Sequence, residues 1–151
     1  GFAARRGPVL MYLVDSNVVS ELRKASSGRA NDGVVAWAQS VAAESLFISA
    51  ITLMELEKGV QLKARQDPIA GQVLRRWLVE RVFTAFQGRV LPVDAMVAME
   101  NAAYHVPAPR PLADSLIAAT AKVHGLCVVT RNIKDFEPFQ VHGVRVLNPW
   151  M

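Results

Sequence analysis

Residues 11–21, MYLVDSNVVSE, decide how the rest of the chain is read. Residues 11–14 are apolar without a break and stop at Asp15, the pattern of a strand buried on both faces. Ser16 and Asn17 can cap a short helix reaching about Lys24. A buried strand feeding straight into a helix is the unit of a parallel sheet, and the unit recurs downstream. Residues 31–43 read as a helix and 46–50 (LFISA) as a second strand. A helix follows from Ile51 to about Arg65 despite Gly59, and Pro68 opens a longer one to about Phe86. Residues 89–93 are a third strand, and Asp94 caps a helix to about His105. Pro107, Pro109 and Pro111 stiffen a loop ahead of a helix over 112–124, which Gly125 closes. Residues 126–130 are a fourth strand, a turn carries Asp135 and Phe136, and 144–147 are a last strand. The alternation predicts an α/β fold, a three-layer α/β/α sandwich around a mainly parallel sheet, with one domain over residues 11–150. Residues 1–10, ahead of a natural-looking start at Met11, are expected to be an extension or a cloning remnant.

Composition agrees with a single packed domain. The chain has 151 residues, 52% hydrophobic and 20% charged, which excludes wholesale disorder. No apolar run approaches about 18 residues, so no transmembrane helix and no membrane partner are expected. The single cysteine, Cys127, cannot close an internal disulfide, and its place among valines makes it a core residue. Without a recognisable signal peptide, a cytoplasmic location is expected. The net charge is +4, and residues 61–89 alone, with six basic against two acidic side chains, account for that excess. A basic stretch of this kind is a solvated face or the mark of a polyanionic partner.

Familiar nucleotide and hydrolase signatures are missing. No G-x-G-x-x-G follows a strand, and neither a P-loop nor a G-x-S-x-G elbow occurs. Carboxylates stand at the strand ends instead, where α/β folds place their sites. Asp15 ends the first strand, as a cap or as a site residue. Glu55 lies one turn into the helix after the second, as a solvated glutamate or facing inward beside Thr52 and Gly59. Asp114 shares a helix face with Ile117, Ala118 and Ala121, where a charge needs a cation, hydrogen bonds or a metal. It could equally cap its helix. Asp135 follows the fourth strand and could merely fix a turn. Converging carboxylates repel one another unless metal ions neutralise them, and an oxygen-only donor set suits Mg²⁺ or Mn²⁺. Such ions can activate water for phosphodiester displacement.

These residues resemble the motifs of PIN-domain toxins of the VapC and FitB type. The similarity lies in residues 11–21; in 49–59, SAITLMELEKG; in 112–121, LADSLIAATA; in 129–136, VTRNIKDF; and in the ending 146–150, VLNPW. The resemblance implies a Mg²⁺- or Mn²⁺-dependent endoribonuclease, the toxin of a type II toxin–antitoxin pair. Its metal set maps onto Asp15, Glu55 and Asp114, with Ser16, Asn17 and Thr130 in support. Some relatives carry an aspartate directly after the Thr-Arg pair; here that position is Asn132, and Asp135 is the nearest carboxylate to complete the catalytic set. Arg75, Arg76, Arg131 and Lys134 are expected to hold the nucleic-acid backbone. The expected partners are an RNA substrate, a cognate antitoxin, DNA only through that antitoxin, and a second copy of the chain, with Trp77, Val82, Phe83 and Phe86 supplying apolar surface for a homodimer. The alternative implied by FitB-like proteins is a regulatory binding module with little nuclease activity.

Overall fold

The computed structural model describes residues 10–150. The extension expected over residues 1–10 therefore lies, apart from Leu10, outside the described residues. Strand β1 (Tyr12–Val14) leads into helix α1 (Ser16–Arg23), and α2 (Asp32–Ser40) follows. Strand β2 (Leu46–Ser49) leads into α3 (Ala50–Gln66) and α4 (Pro68–Trp77), the latter running on through a π-helical stretch, Leu78–Val82, and a last turn, Phe83–Ala85. Strand β3 (Val90–Leu91), α5 (Ala95–Tyr104), α6 (Leu112–His124), β4 (Cys127–Val129), α7 (Ile133–Gln140) and β5 (Arg145–Leu147) complete the fold.

All strand pairings are parallel, in the order β3-β2-β1-β4-β5. Tyr12 sits opposite Leu46 on one side and Cys127 on the other, so β1 is the central strand. The chain leaves β1 toward β2 and β3, then crosses back to β4 and β5. The direction of winding therefore changes between β1 and β4, and a crevice opens at their carboxyl ends. Two apolar layers cover the sheet. One packs Leu13, Ile117 and Val128 with Phe136 and Phe139; the other packs Val14, Ile48 and Val129 with Val18, Leu56 and Leu78.

Local chemistry sets the helix starts. Asp15, rather than Ser16 or Asn17, is the N-cap of α1, its carboxylate accepting from the Ser16 N–H. Ser49 caps α3, Asp67 caps α4 ahead of Pro68, and Asp94 caps α5 as expected. Helices α3 and α4 touch so closely that a Cβ on Gly71 would fall 2.5 Å from the Cα of Ala64. Gly125 ends α6 in the left-handed region, at φ 68°.

One expectation fails. The turn predicted around Asp135 and Phe136 is the helix α7. Pro138 within it looks like a breaker, but it removes only one donor, and Phe136 and Phe139, three residues apart, both bury against the core with ring centroids 6.1 Å apart. That apolar pair outweighs the lost bond.

Candidate metal and nuclease site

The carboxyl ends of β1 and β4 bring Asp15 and Thr130 together. Thr130 Oγ1 donates to Asp15 Oδ2 at 2.8 Å, and Asn17 Nδ2 lies 3.3 Å from the same oxygen and 3.2 Å from Thr130 Oγ1. The Asn132 N–H donates to Thr130 Oγ1 at 3.1 Å, and the Arg131 N–H to Asn17 Oδ1 at 3.2 Å. These bonds fix the Asp15 carboxylate between two strand ends. Asp15 is only 5% exposed, and burial raises its pKa despite the hydrogen bonds that oppose the rise.

Glu55 reaches the same region from the first turns of α3, where Ser16 Oγ donates to its Oε1 at 3.4 Å. Burial raises its pKa first, and the charges of Asp15 and Asp114 raise it further. Asp114, in the first turn of α6, is pushed up to about 6 by burial and then by Asp15 and Asp135. Asp135, exposed in the first turn of α7, adds to the field on both Asp15 and Asp114. The charges of Asp15 and Asp135 thus reach Asp114, that of Asp135 reaches Asp15, and those of Asp15 and Asp114 reach Glu55, across four separate segments of chain.

Three carboxyl groups with pKa values held above their ordinary range mark a place where negative charge is concentrated and under-compensated. Among the described residues, no three acidic, histidine or cysteine side chains close tightly enough to clasp an ion directly. Mg²⁺ and Mn²⁺ suit this donor set all the same. Mg²⁺ retains several waters and is commonly bound through one or two carboxylates, so its further acidic partners can act through water.

The predicted basic residues divide. Arg75 forms a fork onto Glu57, whose pKa that contact lowers to about 2. Arg131 stands over the Trp150 ring, 5.3 Å from its centroid. Lys134 is exposed on α7, and Arg76 faces a concavity shared with Arg23, Trp77 and Arg81. Of the apolar residues expected at a homodimer contact, Val82 and Phe86 are buried in the chain's own core, Trp77 is partly covered, and Phe83 is 44% exposed.

Sequence reading passed over His105, which has no metal-ligand spacing. Its imidazole spans the proline-rich loop, accepting from the Arg110 N–H at 3.2 Å and standing at hydrogen-bond distance from buried Ser115, next to Asp114. A histidine at the end of one helix and a serine beside the next helix's aspartate were the available signal. Pro111 gives α6 no side-chain cap, so this contact braces its start.

Residues 12–138 match the PIN domain family. The chain is 38% identical over 145 residues to the VapC ribonuclease Y4jK of Sinorhizobium fredii, covering 93% of this chain and 98% of the relative. It is 39% identical over 145 residues to the toxin FitB of Neisseria gonorrhoeae, covering 93% and 99%. The solved structure of FitAB bound to an IR36 DNA fragment superposes with a TM-score of 0.77 at 34% identity, over 93% of this chain and 96% of that one.

Proposed function

The chain belongs to the PIN domain family, and on that footing we propose that it is a Mg²⁺- or Mn²⁺-dependent endoribonuclease, the toxin of a toxin–antitoxin pair. The observation that carries the reading is the gathering of Asp15, Glu55 and Asp114 at the switch point of the sheet, where burial raises all three pKa values and the charge of Asp15 raises the other two further. The relatives' names, a VapC ribonuclease and a FitB toxin, support the same activity. Residues 11–150 form its PIN domain, and a homodimer, a cognate antitoxin, contact with DNA only through that antitoxin, and a cytoplasmic location complete the proposal.

Asp15, Glu55 and Asp114 would hold the ion, with Asp135 contributing through the field. A divalent ion held there would supply charge neutralisation for the carboxylates and Lewis-acid activation of water. The chain's own residues do the rest. Thr130, Asn17 and the Ser16 N–H fix the Asp15 carboxylate, so no rotamer freedom is lost when substrate arrives. Ser16 holds Glu55 toward the same point. Arg131 and Lys134, within the fourth motif, would supply positive charge for the RNA strand's phosphates.

The test is cleavage of total RNA by the purified chain with Mg²⁺ and with chelator. Asp15→Asn and Asp114→Asn should abolish cleavage without unfolding, since an amide is a neutral and weaker ligand. Full activity in either variant overturns the metal assignment. The DNA-bound FitAB structure favours one second reading, a regulatory module, which a folded wild type without nuclease activity would establish if it still formed a DNA-binding complex with its antitoxin.

A further inference from the structure

Helix α1 presents Ser16, Ser20 and Arg23 on one face, at positions i, i+4 and i+7. All three line a concavity of about 370 Å³ that begins at Glu55 and Asn132 and passes Gly59. At its far end the Arg23 guanidinium lies over the Trp77 ring, 5.8 Å from the centroid. Arg23 and Trp77 also line a second concavity, of about 580 Å³, with Arg76, Glu80 and Arg81. The two hollows adjoin at these side chains and together form a trough that runs from Glu55 to an arginine cluster. Arg23 stands two helical turns, about 10 Å, beyond Ser16.

Charge decides what fits there. Three arginines face a single carboxylate, Glu80, in the outer concavity. Among the described residues none of these three arginines has an ion-pair partner, whereas Arg75 on the same helix is taken up by Glu57. Planar guanidinium forks suit phosphate oxygens, and the Trp77 ring holds one of them in position at the point where the two hollows meet.

We propose that this trough is the path of a single RNA strand, with Arg23, Arg76 and Arg81 binding the phosphates that lie to one side of the scissile bond. The proposal rests on the ribonuclease reading and extends it, by assigning backbone contacts to residues outside the acidic centre. The acidic centre repels a polyanion, and a cationic subsite on the same trough offsets that repulsion within a few nucleotides. A protein partner with an acidic segment would meet the same arginines. RNA is favoured because the trough reaches Glu55, one of the carboxylates proposed to hold the ion.

The experiment measures anisotropy of a fluorescein-labelled single-stranded RNA of about 12 nucleotides with the full chain in chelator. Salt is varied from about 50 to 200 mM. Each phosphate contact on a single strand contributes about 0.7 to the slope of log K against log salt. Replacing all three arginines, as Arg23→Gln with Arg76→Gln and Arg81→Gln, should flatten the slope by about 2 and weaken low-salt binding at least about tenfold. Arg65→Gln, at the far end of α3, should leave both unchanged. All of these side chains are exposed, so the variants fold. A triple variant that binds like Arg65→Gln overturns the proposal, as does one that keeps its RNA slope and loses only its protein partner. A wild type that neither binds nor cuts RNA overturns the ribonuclease reading itself, and the subsite with it.

Discussion

The Nε2 of His105 stands 2.8 Å from the Ser115 hydroxyl, which in turn donates to the Leu112 carbonyl at 3.0 Å. Because the Arg110 N–H donates to Nδ1, the proton of the neutral ring sits on Nε2 and points at Ser115. The start of the helix that carries Asp114 is thus fastened to the end of the helix before it.

His105→Ala should lower stability by about 1–2 kcal/mol, from bonds lost with Ser115 left buried. In a domain of this size that is a fall in Tm of about 3–6 °C. Cleavage should fall further than stability accounts for, with half-activation moved to higher Mg²⁺, because Asp114 is one residue from Ser115. His105→Gln can reach Ser115 with its amide and should recover part of both. Wild-type Mg²⁺ dependence in His105→Ala would confine the histidine to a structural role.

The raised pKa of Asp114 sets a pH dependence. Its folded pKa of about 6 lies above the ordinary 3.8, so between those values the folded state binds more protons than the unfolded one. Stability of the metal-free chain therefore declines as pH rises from about 4 to about 6 through this group. Mg²⁺ competes with those protons, so it should raise Tm more at pH 7.5 than at pH 5. Asp114→Asn should stabilise the metal-free chain at pH 7.5 and shrink the Mg²⁺ shift. Thermal melts at both pH values check this; equal Mg²⁺ shifts would count against a metal cluster.

Two glycines should respond in opposite directions. Gly71→Ala drives a methyl into the Ala64 backbone, forces α3 and α4 apart, and should cost about 1–3 kcal/mol or more. Gly59→Ala meets nothing within 4 Å and should add up to about 1 kcal/mol as a better helix former. Urea titrations of the two variants test the pair.

Met96 and Met99, one turn apart on α5, are 68% and 77% exposed. Glutamate at both positions should reduce the mass seen by light scattering to the 16.5 kDa monomer if the homodimer forms through this face. An unchanged dimer would move the contact to the face of Phe83.

The strands, the helices other than α7 and the order of the acidic residues were legible in the sequence, because each is a local pattern. Asp15 after an apolar run and Gly125 after a periodic one carry their meaning within a few residues. What was not legible depends on strand order. The partner of Asp15 is a hydroxyl 115 residues away; only the resemblance to a family named it, and no local pattern pairs the two. The helix α7 was hidden by Pro138, whose cost is local while the gain from Phe136 and Phe139 is tertiary. Arg75 and Arg76 are neighbours in sequence with opposite fates, since only a fold can say that Glu57 meets one and not the other.

The central place of β1 has a bearing on biosynthesis. Of the described strands β1 is made earliest; β2 pairs with one of its edges soon afterwards, but its other edge waits for β4. Until that strand arrives, a nascent chain already carrying Asp15, Glu55 and Asp114 has no Thr130 to steady the first of them and no α7 to close the crevice. A chain that stops short of β4 therefore holds its acidic side chains without the strand edge and the hydroxyl that fix Asp15 in place.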